Sequence, residues 1–350
     1  MEGVEVFRFR YFWPARAQIL ASGDGVAANL RASWTARLQA PFFVMAELVA
    51  LVRIGLRWKP DVVNAHWLIP QGVTAGLARF AHRARVVLHV HAADVYFLQR
   101  FVWGPWVARF AVKKADLVYA DGSHVRDALD AMLKTPSGAQ LRPMGVSVSR
   151  FTPGGQPEGV TPVPGRILFV GRLVEKKGVA YLIRALKLVR QQIPDAHLVI
   201  AGSGPLQREL EEAAEHLGLS QYVDFLGPLP HSRVVEELHR ADIACVPSII
   251  DSLGETEGMP TVVLEAMASG TKVVGSEVNG IPDVLRHEVN GWLATPADPD
   301  SLAAALLAAL SSPPYGEISQ RAMATASGHD WQSLGASYLE PLGEVHEAQK

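Results

Sequence analysis

From Gly165 onward, short apolar runs alternate with segments whose apolar residues recur every three or four positions, the pattern of strands and helices wound into a parallel sheet. It predicts strands at Arg166–Gly171, His197–Gly202, Val223–Gly227, Ile243–Val246 and Lys272–Gly275, with helices at about 178–192, 205–217, 231–240 and 260–269. A further segment over 300–310 is built from strong helix formers and stopped by Pro313-Pro314. The first half repeats the alternation less cleanly, with strands predicted at Val4–Tyr11, Asp61–Ala65, Val86–His91 and Leu117–Ala120 and helices between them. The Pro- and Gly-rich stretch Pro153–Gly165 reads as a linker. The division is then residues 1–152, a linker over 153–165, a second domain over 166–312, and C-terminal helices over 313–350 that return towards the first domain. The expected class is α/β, two Rossmann-like domains with ligands at the strand C-termini in the cleft they face.

Composition narrows this. The 350 residues are 49% hydrophobic and 19% charged, enough apolar side chain for two cores and too much for a disordered chain. Lys plus Arg is 33 and Asp plus Glu is 35, which argues against a dedicated nucleic-acid binder. The single cysteine, Cys245, excludes a disulfide framework and sits in an apolar run that reads as a buried strand. The first residues alternate apolar and charged positions and form no secretory signal. The longest apolar stretch, Phe42–Leu56, is interrupted by Glu47 and Arg53 and falls short of the ~20 residues a membrane-spanning helix needs, so a soluble or peripherally bound protein is expected. The total charge hides an asymmetry: residues 1–160 hold 19 Lys/Arg against 11 Asp/Glu, and residues 161–350 hold 14 against 24. A basic half can face an anionic partner such as a phospholipid surface, or simply be a solvated face.

The segment Glu257-Gly-Met-Pro-Thr-Val-Val-Leu-Glu265 places one acid at a helix entrance and another inside an otherwise apolar helix. A buried carboxylate needs a hydrogen-bonding partner, and two vicinal ribose hydroxyls suit Glu265, although a purely structural pair of acids fits the same positions. The backbone N–H groups of Thr261 and Val262 point the positive end of that helix at an anion. A strand ending at Gly171 leads into a loop carrying Arg172, Lys176 and Lys177, a donor set that matches a diphosphate. The turn Gly202-Ser-Gly-Pro205 lacks the third glycine and the acid of a dinucleotide fingerprint.

Together with Ser276–Asp283 and Asn290–Leu293, these features resemble the C-terminal domain of family 4 glycosyltransferases, the retaining group with the GT-B fold, over Ile167 to about Leu310. The resemblance implies transfer of a sugar from a nucleotide-sugar to a glycan or lipid-linked acceptor, in cell-surface polysaccharide or glycolipid synthesis, with no cofactor and no metal ion. It implies that Glu257 contacts the transferred sugar, Glu265 the ribose, Arg172 and Lys177 the donor diphosphate, and that Phe225 and Leu226 lie near the base. In the first half, Asp61–Gly72 and Val87–Asp94 look like strand ends of the same family's acceptor domain, with His91 beside the reacting sugar and His66, Trp67 and Asp94 on the acceptor side. A metal held by His66, His89 and His91 is conceivable, but no companion ligand spacing supports it. Asp298-Pro-Asp300 has the spacing of a metal-binding pair, yet its place before an Ala/Leu helix favours capping.

Relatives open with a strand, a glycine-rich turn and a helix, whereas this sequence begins at what resembles a later strand, and Ser22-Gly-Asp-Gly25 follows the wrong element. The expectation is an incomplete N-terminal domain, and with it two alternatives: a fragment that binds nucleotide-sugar without transferring it, or a sugar-nucleotide epimerase of the same fold. The segments 30–58 and 97–114 interleave aromatics with Arg and Lys, as helices at an anionic membrane interface do, although ordinary core-facing helices share the pattern. The implied location is cytoplasmic, peripheral on the inner face of the cytoplasmic membrane.

Overall fold

The structure is a computed structural model that describes residues 4–22, 26–152, 160–252, 254 and 256–335. The chain divides into two compact units, residues 1–120 with 128–140, and residues 121–127 with 141–350. The division falls at 140/141; of the expected linker, residues 153–159 lie outside the described residues, as do Gly23–Gly25 and residues 336–350.

In chain order the first unit carries α1 (Val26–Ala32), α2 (Trp34–Trp58), β1 (Val62–His66), α3 (Val73–Leu77), α4 (Arg79–His82), β2 (Arg85–Val90), α5 (Ala92–Gln99), α6 (Gly104–Lys114), β3 (Leu117–Ala120), and parts of α7 (Ser123–Leu133) and β4 (Gln140–Leu141), each of which runs across the division of the chain. Its sheet runs β1-β2-β3-β4, with β1, β2 and β3 mutually parallel. The second unit carries α8 (Val148–Phe151), β5 (Arg166–Val170), α9 (Val179–Val189), β6 (His197–Ala201), α10 (Gln207–His216), β7 (Val223–Gly227), α11 (His231–Arg240), β8 (Ile243–Val246), α12 (Thr261–Ala268), β9 (Lys272–Ser276), α13 (Ile281–Val284), β10 (Trp292–Ala294), α14 (Pro299–Ser311) and α15 (Glu317–Ser327). Its parallel sheet has the order β10-β9-β8-β5-β6-β7, so the chain reverses direction of winding at β5, where a doubly wound sheet opens its binding crevice. Ile167, Phe169, Leu182, Leu198, Ile243 and Leu306 fill the core on one side, and Leu168, Val199, Val263 and Met267 on the other. Cys245 is buried in β8. Asp298 caps α14 by accepting the N–H groups of Asp300 and Ser301. Helix α15 packs on α12 of its own unit.

Two expectations fail in the first unit. Val4–Tyr11 forms no strand: its alternating aromatics lie along α2, with Phe7 against Trp58, and Phe9 and Tyr11 against Phe43, at ring separations of 5.1–5.4 Å. Gln39 of α2 fastens the adjoining Ala17–Ile19 segment, accepting the N–H of Ile19 and donating to the carbonyl of Ala17. The apolar stretch expected to be too short is part of a 25-residue helix, long and apolar enough by length and composition to cross a membrane. Glu47 and Arg53 interrupt it only in linear order: Glu47 turns to α3, where the Thr74 hydroxyl donates to it, and Arg53 points to solvent. Burial pushes the Glu47 carboxyl up to about 7.

Candidate active site

In the second unit the loop after β5 is built on its neighbours through backbone. Gly171 N–H donates to Ala201 O at 3.0 Å, Leu173 N–H to Ser203 O at 3.0 Å, and Ile249 N–H to Lys176 O at 2.9 Å. Glu175 accepts both the N–H and the hydroxyl of Ser252. Gly202 explains itself by close approach: its φ is +147°, and a Cβ there would lie 1.9 Å from the Gly171 carbonyl oxygen. The glycines of Gly202-Ser-Gly-Pro205 therefore serve loop-on-loop packing.

That scaffold brings Lys177 to Glu257, with Nζ donating to the carboxylate at 2.7 Å and the side chains 16% and 14% exposed. Arg172 is exposed beside Gly171. Helix α12 starts at Thr261 after Pro260, which supplies no side-chain cap, so the first N–H groups of the helix keep their positive end for a partner outside it. Val262 is buried, and one turn on, half-buried Glu265 accepts the Thr261 hydroxyl. Burial raises the Glu265 carboxyl above its usual range, opposed by His231 and by Thr261. Phe225 packs against the core on β7, Leu226 is exposed, and the strand's last carbonyl, Gly227 O, accepts Gly202 N–H at 2.8 Å. Glu175 and His231 escaped the sequence reading. Glu175 is the one acid in a basic loop, and that contrast was the available signal.

The first unit has a site of its own at the C-terminal ends of β1 and β2. Register pairs His66 with His89 and His89 with Tyr119 across three strands. Rings on adjacent strands a sheet spacing apart stack, and His66 and His89 do so at 4.4 Å and 12°. His91, just past β2, also lies against His66, with Nδ1 of His66 3.1 Å from Nε2 of His91. Burial, then the neighbouring rings, lower the His66 imidazole and hold His89 down at about 4, which favours the neutral ring at both. Near-parallel rings do not aim their nitrogens at a common point, and no group of three or more His, Cys, Asp or Glu suited to a metal ion occurs among the described residues.

Trp67 and Asp94 sit beside these rings in different ways. Trp67 is 39% exposed and has φ of +82°, a conformation that costs a bulky residue ~1–3 kcal/mol. Asp94 is 3% exposed and gives both oxygens to backbone, accepting the N–H groups of Leu68 and His91, so it presents no free carboxylate to an acceptor. Burial pushes its carboxyl up to about 6 against the pull of those two N–H donors.

Comparison with known proteins places this geometry. Residues 159–328 match the family described as glycosyl transferases group 1, and residues 18–122 the glycosyl transferase 4-like family. The chain is 30% identical over 308 residues to the glycogen synthase of Mycobacterium tuberculosis, covering 82% of this chain and 72% of that protein. The chain belongs to the group 1 glycosyltransferases. Within the group it is 41% identical over 144 residues to the amylovoran biosynthesis glycosyltransferase AmsK of Erwinia amylovora, 41% of this chain and 35% of that enzyme's length. Among solved structures, Anabaena HepE in complex with UDP superimposes with a TM-score of 0.73 at 22% identity, over 86% of this chain and 83% of that one, which gives this glycosyltransferase the GT-B fold.

Proposed function

We propose that this group 1 glycosyltransferase moves a sugar from a nucleotide-sugar donor to a glycan or lipid-linked acceptor with retention of anomeric configuration, in polysaccharide or glycolipid synthesis. The observation that carries the reading is the Lys177–Glu257 pair at 2.7 Å, followed by the start of α12 and by half-buried Glu265. A diphosphate takes its counter-charge from Arg172, Lys177 and the N–H groups of Thr261 and Val262, and developing charge on the leaving group is stabilised by donors already in place. Freed from Lys177, Glu257 accepts from sugar hydroxyls, and Glu265 accepts from the ribose. No step is assigned to a metal or cofactor. In the first unit, His91 and His66 offer imidazoles to the reacting sugar or its acceptor.

The acceptor is proposed to lie at an anionic membrane, on its cytoplasmic side. Trp34, Leu38, Phe42, Met45, Val49 and Leu56 recur at three-, four- and seven-residue intervals on α2 and are all exposed, and Arg53, Arg57 and Lys59 stand exposed around the helix's end. Because α2 packs on α3 and α4 and commits Glu47 to Thr74, it lies on the surface instead of spanning it. The reading is tested by incubating the full chain with UDP-, GDP- and ADP-sugars and a lipid extract and following the anomeric proton of the product by NMR. Transfer with retention is expected, and Glu265→Ala and Arg172→Ala each raise donor KM or abolish turnover. Inversion, or near-normal donor kinetics in both variants, would overturn it.

A further inference from the structure

The Trp67–Leu68 turn is pinned at every backbone group around its strained residue. Trp67 N–H donates to His89 O at 2.8 Å, Trp67 O accepts Gly72 N–H at 2.9 Å, and Leu68 N–H is taken by Asp94. The same carboxylate takes His91 N–H at 2.9 Å. One buried side chain on α5 therefore ties the residue after His66 and Trp67 to the residue that carries the opposing imidazole. We infer that Asp94 is a positioning residue, which holds Trp67 in its left-handed conformation and sets the His66–His91 geometry without touching substrate.

A bulky residue at φ of +82° relaxes to the extended region unless its neighbours over-determine it, and relaxation there swings His66 and Leu68 on either side. Two N–H donors converging on one buried carboxylate supply that constraint through hydrogen bonds to a carboxylate acceptor, the stronger kind. Asparagine at the site keeps one carbonyl acceptor but turns an NH2 group towards the other N–H, so one of the two ties is replaced by a donor facing a donor.

The inference rests on the glycosyl-transfer reading for its kinetic arm and stands free of it for its structural arm. The full chain labelled with 15N-histidine is compared with Asp94→Asn, with hydrolysis of UDP-glucose, GDP-mannose and ADP-glucose followed in parallel. Expected are loss of the hydrogen-bonded ring-nitrogen signals of His66 and His91, a melting midpoint within a few degrees of wild type, and hydrolysis slower by on the order of 10- to 100-fold with donor KM unchanged. Ring-nitrogen signals unchanged in Asp94→Asn overturn the positioning role. His91→Ala run alongside separates the two claims: hydrolysis unaffected by that change removes the transfer reading of the first unit, and the 15N signals still decide the role of Asp94. If Asp94→Asn does not fold, Asp94→Ala with Trp67→Gly decides, because glycine adopts φ of +82° without strain. Folding of that double variant supports the inference, and its failure to fold overturns it.

Discussion

Replacing Gly202 by alanine tests whether the donor loop is held by close backbone approach. The new Cβ falls 1.9 Å from Gly171 O and 2.9 Å from Gly171 C, about 1.5 Å inside ordinary contact. Neither backbone is free to retreat, since Gly171 N–H is bonded to Ala201 O and Gly202 N–H to Gly227 O. Strain at φ of +147° costs ~1–3 kcal/mol and forcing the loops apart a similar ~1–3 kcal/mol. Together, ~2–6 kcal/mol lowers the melting midpoint by roughly 5–20 °C for a unit of this size. Gly218→Ala is the control: its φ is +71°, yet nothing lies within 4 Å of its Cβ, so it carries conformational strain alone. Calorimetric melting and donor titration of both variants give the comparison. Gly202→Ala is expected to lose more stability than Gly218→Ala and, by displacing Arg172 and Lys177 with their loop, to weaken donor binding. Equal midpoints and equal donor affinity in the two variants would refute the reasoning.

Two other outcomes are expected. The Glu47 carboxyl has its folded pKa raised from the ordinary carboxylate range to about 7, so its contribution favours the folded state below about 4.5 and is lost as pH rises through 7. Glu47→Gln therefore stabilises the protein by roughly 1–2 kcal/mol at pH 8, after discounting for its partial exposure, with no gain at pH 4, as measured by urea unfolding at both pH values. Leu38→Glu with Met45→Glu, both exposed on α2, is expected to abolish sedimentation with phosphatidylglycerol vesicles while leaving the melting midpoint unchanged; equal binding to neutral phosphatidylcholine vesicles by the wild type would count against an anionic surface.

The second unit was legible because each strand and helix there is specified by a contiguous run, from Arg166–Val170 to the Ala/Leu helix at Pro299–Ser311. Short β10 and two-residue β4 carried too little pattern to register. The N-terminal segment misled because alternation suits an extended chain laid along a helix as well as a paired strand, and only the aromatic contacts with α2 tell them apart. Helix α2 was read short because Arg37, Gln39 and Pro41 break the apolar run before Phe42, although the helix passes through all three from Trp34. At the site, residue types were readable and their pairing was not: Lys177 and Glu257 are 80 positions apart, and the His66–His89–Tyr119 row depends on a strand register that a one-residue slip would destroy.

The central claim is that Arg172, Lys177, Glu257 and Glu265 form a nucleotide-sugar site. Isothermal titration of the full chain with UDP, GDP and ADP tests it most directly. Saturable one-to-one binding of at least one nucleotide is expected, weakened at least tenfold, about 1.4 kcal/mol, by Arg172→Ala and by Glu265→Ala. Absence of binding to all three, or identical affinity in the wild type and both variants, would contradict it.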